Sequence, residues 1–323
     1  MTEKNTYFIH PNTKDMKLLC LCILTALLIS CNHRDVKKLP EVSSGKLIRL
    51  ENLPSNYINP RTIDIWLPEG YTDSKKYAVL YMQDGQMLFD STTTWNKQEW
   101  QVDETIARLN SEGKIKDCIV VGIFNNNEYR ISEYFPLVAL AGLPEPTRGS
   151  VVKTLLKDKP LSDDYLKFIV EELKPYIDRT YSTYTDPSNT IIIGSSMGGL
   201  ISVYAFCKYP DVFGGAGCLS THWPMIGSGL LYNRKITDNT SAAFREYLLS
   251  NLPRPPRGKI YFDYGSQTLD SLYKPYQQLV DTIMKNAGYT SENWITREFL
   301  KDDHSERSWS RRLHIPLEFQ LKK

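Results

Sequence analysis

Residues 194–198 read Gly-Ser-Ser-Met-Gly, a G-x-S-x-G spacing centred on Ser196 and entered from Ile191, Ile192 and Ile193. That spacing suits a nucleophilic serine on a sharp strand-to-helix turn. The serine must take an unfavourable backbone conformation there, and the residues two away on either side must be small so that strand and helix can approach. Small residues also suit an ordinary turn, so the pentapeptide gains weight only from its partners. A serine hydroxyl is a weak nucleophile and needs a base, oriented in turn by a carboxylate. Of the five histidines, His10 and His33 fall in the N-terminal region, His314 inside a predicted terminal helix, and His222 after a strand-like run. His304, in Lys-Asp-Asp-His-Ser-Glu, lies beyond the last strand-like run. That is where the chain order serine, acid, histidine requires the base.

Two aspartates compete for the acid. Asp270 lies on the loop after the strand-like run Lys259 to Gly265 and is the first choice; Asp263 lies inside that run and is the alternative. Asp270 could instead cap a helix starting at Ser271, whereas a carboxylate within a sheet is costly unless it is paired. Stabilising the developing oxyanion takes two backbone N–H groups. Met197, directly after the serine, supplies one. The loop Leu80 to Asp90 (LYMQDGQMLFD) supplies the other, at Gln86 or at Gly85 itself, with Gly85 permitting a tight turn.

These residues need elements to position them. From Lys46 onward, two strand-like segments (46–51 and 61–68) are followed by strand-like runs that alternate with helical ones. Alternation of this kind predicts a mostly parallel sheet covered on both faces. In residues 164–177 the positions Leu166, Ile169, Val170, Leu173 and Ile177 share one helical face, as a crossover helix requires. In such a sheet ligands bind beyond the carboxyl ends of the strands, where Ser196 is expected. Residues 138–160 are too long for a plain connection and read as an insertion above the sheet, a candidate lid or substrate wall. Trp95, Trp100 and Trp223 follow strand ends and are candidates for an aromatic wall, while Trp66 and Trp294 lie in strands and read as core. Arg130 is a candidate to bind a carboxylate or to anchor Glu133.

A chain of 323 residues, 41 % hydrophobic, can bury a sizeable core, and a formal charge of +2 gives no electrostatic case for nucleic acid. Near the N-terminus, Lys17 precedes twelve apolar or small residues, Leu18 to Ile29, which is too short to span a bilayer. The run ends in Leu-Ile-Ser-Cys and resembles a bacterial lipobox, which implies cleavage before Cys31 and its lipidation. On this reading residues 1–31 are a signal peptide, whether translation starts at Met1 or at Met16. Residues 32–45 are a tether and 46–323 the folded domain. The protein is then expected in the bacterial cell envelope, anchored to membrane through Cys31. Cys118, Cys207 and Cys218 remain and read as small core residues. None has zinc-ligand spacing, and neither a metal nor a cofactor is expected.

The segments YMQDGQMLFD, GSSMGG and DHSERSW together resemble the esterase D-like and feruloyl-esterase-like group of α/β hydrolases. Carbohydrate esterases of family one, enterochelin esterases and bacterial mycolyltransferases are of the same circle. The likeness spans roughly residues 46–323, and WNKQEWQVDET and YRISEYFP extend it, placing Trp95, Trp100, Arg130, Glu133 and Tyr134 on rim loops. It implies an α/β-hydrolase fold and cofactor-free ester hydrolysis with Ser196 as nucleophile and His304 as base. It also implies an aspartate after the seventh strand and an oxyanion amide at Gln86. The expected substrate is an acyl ester on carbohydrate, of feruloyl or acetyl type. A siderophore ester, transfer to an alcohol, or a non-catalytic glycan-binding surface lipoprotein are the alternatives.

Overall fold

The computed structural model describes residues 38–226, 234–255 and 257–323. The signal peptide, His10, Cys31, His33 and residues 32–37 of the tether lie outside the described residues. Residues 39–323 form one compact unit. Its eight strands are β1 (Lys46–Leu53), β2 (Arg61–Leu67), β3 (Ala78–Gln83), β4 (Cys118–Ile123), β5 (Thr190–Ser195), β6 (Gly215–Leu219), β7 (Lys259–Gly265) and β8 (Trp294–Phe299). They form one sheet in the order β1-β2-β4-β3-β5-β6-β7-β8. β1 pairs with β2 and β2 with β4 antiparallel, and every other pairing is parallel. Parallel strands buried on both faces read as continuous apolar runs rather than alternating ones, and all six residues of β4 (CIVVGI) are buried.

Helices close both faces. They are α1 (Val102–Ser111), α2 (Arg130–Tyr134), α3 (Thr147–Thr154), α4 (Ser162–Lys167), α5 (Lys174–Thr180), α6 (Met197–Lys208), α7 (Arg234–Asn251), α8 (Lys274–Asn286), α9 (Glu306–Arg312) and α10 (His314–Leu321). Between α4 and α5 the helix widens into a π-helical turn over Phe168–Leu173 without losing its buried face of Leu166, Ile169, Leu173 and Ile177. One core layer joins α6 and that helix to Tyr81, Val121 and Ile192. The other joins α1, α9 and α10 to Leu80, Val120 and Ile193. Successive side chains on a strand point to opposite faces, so neighbouring strand residues feed the two layers in turn. β1 and β2 precede this alternation as predicted. The expected single terminal helix is two, broken at Leu313, and His314 opens the second.

The segment predicted to stand over the sheet contains a 3-10 turn, Leu137–Gly142, and α3. It packs sideways onto α7: a Cβ on Gly142 would meet the Asn239 carbonyl oxygen at 2.5 Å and the Ala243 Cβ at 2.6 Å.

α1 carries a charge problem at the foot of the loop that holds Trp95 and Trp100. Asp103 is fully buried and accepts from the Ser43 N–H at 2.6 Å and the Ser43 hydroxyl at 2.8 Å. Partial burial, then the neighbouring Asp103 and Glu99, push the Glu104 carboxyl up to about 7. A carboxyl raised in the folded state destabilises the fold increasingly as pH climbs from the ordinary carboxylate range through the folded value. Glu104→Gln therefore raises the Tm at pH 8 and does so progressively less as pH falls towards 4.5. Thermal melts of both proteins across that range test this, and an increment independent of pH contradicts it.

Candidate active site

β5 ends at Ser195 and α6 begins at Met197, so Ser196 alone makes the turn. Its φ of 57° and ψ of −124° are conformations an L residue rarely adopts. Main-chain bonds hold it there. The Ser196 N–H donates to the Leu219 carbonyl at 2.9 Å, and the Ser196 carbonyl accepts from Leu200 N–H and His222 N–H, each at 3.1 Å. The flanking glycines are required by space. A Cβ on Gly194 would stand 2.5 Å from the Gly198 carbonyl carbon, and one on Gly198 3.1 Å from the Gln83 Cβ.

His304 sits between β8 and α9. Its main-chain N–H donates to Thr268 Oγ1 at 2.9 Å, and its Nδ1–H donates to Asp270 Oδ1 at 2.5 Å. The imidazole is 15 % exposed, its carboxylate partner fully buried. With Nδ1 committed to a carboxylate, Nε2 is the nitrogen left for a reacting group, and His304 lines the same cleft as Ser196. Tyr273 and Trp309 pack edge-on against the ring at 5.8 and 5.1 Å.

The two candidate acids have different surroundings. Asp270 lies within a 3-10 turn, Thr268–Leu272, and α8 begins later than expected, at Lys274. Its carboxylate caps no helix. Besides His304, it accepts from the Gly265 N–H at 2.6 Å and the Ser220 hydroxyl at 2.5 Å. Asp263 faces Arg312, which donates to it from Nε at 3.0 Å and from Nη2 at 2.9 Å. Ser220 N–H and the Tyr261 hydroxyl complete its shell at 3.1 and 3.0 Å. Burial pushes the Asp263 carboxyl up from its ordinary value, against the pull of Arg312. The structure thus brings His304 to Asp270 and leaves Asp263 to Arg312.

His222 is near but engaged. Its Nε2 lies 3.3 Å from the Ile226 carbonyl, which can only accept, so that nitrogen carries the proton and Nδ1 accepts from the Tyr273 hydroxyl at 2.7 Å. Burial lowers its pKa to about 4, which keeps the ring neutral.

On the other side of the cleft, the turn after β3 is borne by Asp84 (φ 55°, ψ 47°) and not by Gly85. Gly85 is there for close packing, since a Cβ on it would lie 2.4 Å from the Gly122 carbonyl carbon. Arg130 grips Asp84 with two bonds of 2.7 Å, and the Asn125 side-chain amide adds a third at 2.6 Å. Glu133 is paired instead with Arg61, and Tyr134 is buried, its hydroxyl accepting from Asp84 N–H at 3.3 Å. Gln86 lines the cleft beside Ser195 and Ser196. Met197 opens α6, so its N–H is one of the first-turn donors without a partner inside the helix.

The cleft measures about 560 Å³ and is also lined by Trp95, Asn96, Gln98, Trp100, Asn127 and Glu306. Trp95 is 83 % exposed at its lip; Trp100 is buried and packs on Trp309 at 5.6 Å. Trp223 does not belong to the wall. It is buried between Phe244 and Phe262, and its indole N–H donates to Gln277 at 2.8 Å. None of the cleft's lining residues comes from the 138–160 insertion. Sequence reasoning missed Ser220, Trp309 and Arg312. The Trp309 indole N–H and Arg312 Nη2 donate to the Ser220 hydroxyl at 2.9 and 2.8 Å, which turns the Ser220 proton towards Asp270. The run Glu306 to Arg312 (ERSWSRR) offered a hint, an arginine and a tryptophan just past the histidine.

The family model described as "Putative esterase" matches residues 55–313. An endo-1,4-beta-xylanase/feruloyl esterase of Xylanibacter ruminicola is 26 % identical over 184 residues, 55 % of this chain and 21 % of that protein. A ferri-bacillibactin esterase of Bacillus subtilis is 26 % identical over 154 residues, 46 % of this chain and 49 % of that one. An uncharacterised Bacillus subtilis protein is 26 % identical over 186 residues, 57 % of this chain and 66 % of its own. The chain thus spans between 21 % and 66 % of these curated relatives. Among solved structures, a CE1 ferulic acid esterase of Anaeromyces mucronatus superposes with a TM-score of 0.56 at 19 % identity, covering 89 % of this chain and 95 % of that one. The enterobactin esterase of Shigella flexneri gives a TM-score of 0.60 at 16 % identity over 89 % of this chain and 61 % of that one. Identities this low speak for a shared fold. The family match over most of the chain goes further, and with it this chain belongs to the Putative esterase family.

Proposed function

We propose that this chain is a serine carboxylic-ester hydrolase acting through Ser196, His304 and Asp270. The observation that carries the reading is the 2.5 Å bond from His304 Nδ1–H to the buried Asp270 carboxylate, on a cleft that Ser196 also lines. The ester carbonyl is attacked by Ser196 Oγ while His304 Nε2 takes its proton. Asp270 holds the tautomer and stabilises the imidazolium that forms. The tetrahedral oxyanion is met by the Met197 and Gln86 N–H groups. Collapse expels the alcohol, which takes its proton from His304, and leaves an acyl-serine. Water activated by His304 then releases the acid.

The substrate we propose is an aromatic or acetyl ester of carbohydrate. An exposed indole at the lip, the side-chain amides of Asn96, Gln98, Asn125 and Asn127, and a volume near 560 Å³ suit a flat or hydroxyl-rich ligand. Relatives named as feruloyl and ferulic acid esterases favour the same class. Siderophore ester hydrolysis is the second reading, favoured by the relatives named as ferri-bacillibactin and enterobactin esterases. A lipid anchor at Cys31 and a place in the cell envelope complete the proposal. Among the described residues no helix is long and apolar enough to cross a membrane.

Turnover of methyl ferulate, an acetylated xylan and a catecholate siderophore ester separates the substrate readings. Ser196→Ala lowers kcat on the preferred ester by about 10⁴–10⁶ with an unchanged melting curve, and near wild-type turnover would end this mechanism. The two aspartates answer differently. Asp270→Asn lowers kcat by about 10⁴ through the wrong imidazole tautomer. Asp263→Asn leaves Arg312 buried against a neutral amide and costs about 3–5 kcal/mol of stability by chemical unfolding. A reversal of these two phenotypes would give Asp263 the catalytic role. In cells fed a radiolabelled fatty acid, the wild-type chain takes up label and Cys31→Ala does not; equal labelling of both rules out Cys31 as the anchor.

A further inference from the structure

At the other end of the sheet from Ser196 lies a second concavity, of about 450 Å³. Its walls come from the amino ends of the strands. Lys116 stands just before β4, Ser188 just before β5, and Arg257 and Lys259 at the start of β7. Lys322 joins them because its backbone bridges to Ile115. Four cationic side chains therefore line one hollow.

Their partners are few. Arg257 pairs with Asp211 at 2.7 Å. Among the described residues, Lys116, Lys259 and Lys322 form no ion pair with a carboxylate. Lys116 donates to the Asn189 side-chain carbonyl at 3.2 Å and Lys259 to the Phe319 carbonyl at 3.3 Å, both neutral acceptors. Asp186, the one carboxylate in the wall, turns its oxygens to the Ser188 hydroxyl at 2.5 Å and to the Asn189 amide at 2.9 and 3.1 Å. An ammonium has three N–H donors, so these lysines keep most of theirs unspent. The molecule feels this concentration of charge: burial, then Lys116 and Lys322, draw the Lys259 ammonium below its ordinary value.

We propose that this hollow is a binding site for a phosphate-type oxyanion, free or carried on a lipid headgroup. Several lysines around a concave wall suit a multiply charged, compact anion, because an ammonium acts as a point charge and imposes no planar geometry. A single carboxylate would leave part of the charge unanswered. The site is independent of the ester chemistry, since none of its residues lines the Ser196 cleft.

The test uses the unacylated full-length chain, its Lys116→Gln/Lys259→Gln variant, and two probes. Inorganic phosphate is titrated calorimetrically, and vesicles of phosphatidylglycerol in phosphatidylcholine are compared with pure phosphatidylcholine by cosedimentation. The wild type binds at least one probe saturably, and the variant loses about tenfold or more of that affinity while keeping its melting temperature and ester turnover. Binding of phosphate alone identifies a small free oxyanion, and binding of the anionic vesicles alone identifies a headgroup. Should the variant misfold, the wild type still answers: phosphate raises its Tm above an equal ionic strength of chloride. Equal affinities of the two proteins, or no phosphate binding together with no preference for the anionic vesicles, overturn the proposal.

Discussion

The end of the sheet that carries Ser196 and His304 depends on a buried guanidinium. Arg312 is 2 % exposed, yet it reaches Asp263 on β7, Ser220 at the end of β6 and Asp302 before His304. Each contact crosses to a different part of the chain, so one cation fixes two strand ends and the histidine loop together. A buried pair of this kind is weak evidence for stability in itself, because desolvation cancels much of its attraction. Its value here is geometric. By directing its own hydrogens to the Ser220 oxygen, Arg312 leaves the Ser220 proton only one useful direction, towards Asp270. Asp270 in turn holds the imidazole.

That arrangement separates two carboxylates seven positions apart in sequence and similarly buried. Asp263 spends its oxygens on a permanent cation and cannot orient a base. Asp270 takes its hydrogen bonds from neutral donors and from His304, with Arg312 Nη2 farther off at 3.9 Å, and it is this oxygen set that the proposed mechanism uses. Burial alone would have favoured neither. The decision lies in which side chains the neighbouring elements present, and Arg312, 42 positions beyond Asp270, is the residue that decides.

This explains what was legible in the sequence. The Ser196 turn could be read because its constraint is local: Gly194 and Gly198 must be small for β5 and α6 to approach. The parallel sheet could be read because buried strands and amphipathic helices impose their own periods on the chain. His304 followed from strand order. The choice between Asp270 and Asp263 could not be closed, because it turns on Arg312. Trp223 was misjudged for a related reason: following a strand end says nothing about which way an indole points, and the partner that draws it inward, Gln277, lies on a distant helix. The 138–160 segment had the length of an insertion, but its resting place is set by Gly142 against α7, a contact between non-adjacent segments. Gly85 was recognised as necessary for the wrong reason, since the turn belongs to Asp84 and the glycine to packing against Gly122.

The same division between local and distant constraint bears on substrate choice. In the proposed mechanism the bond to be cleaved is set by Ser196, His304 and the amides near them, positioned by β-strand ends and by Arg312. The acyl and alcohol groups meet loops, where Trp95 projects from the 95–100 segment and the Asp84–Arg130 pair stiffens the opposite wall. Arg130 gives both of its bonds to Asp84, so it contributes shape more than charge to that wall. On the proposed function, a cleft walled in this way would select by flatness and by hydroxyl pattern, which phenolic esters of sugars and catecholate esters both supply. In the proposed reading the bond chemistry rests on the strand ends and specificity on a few loop residues above them, of which Trp100 is tied to the network beneath through Trp309.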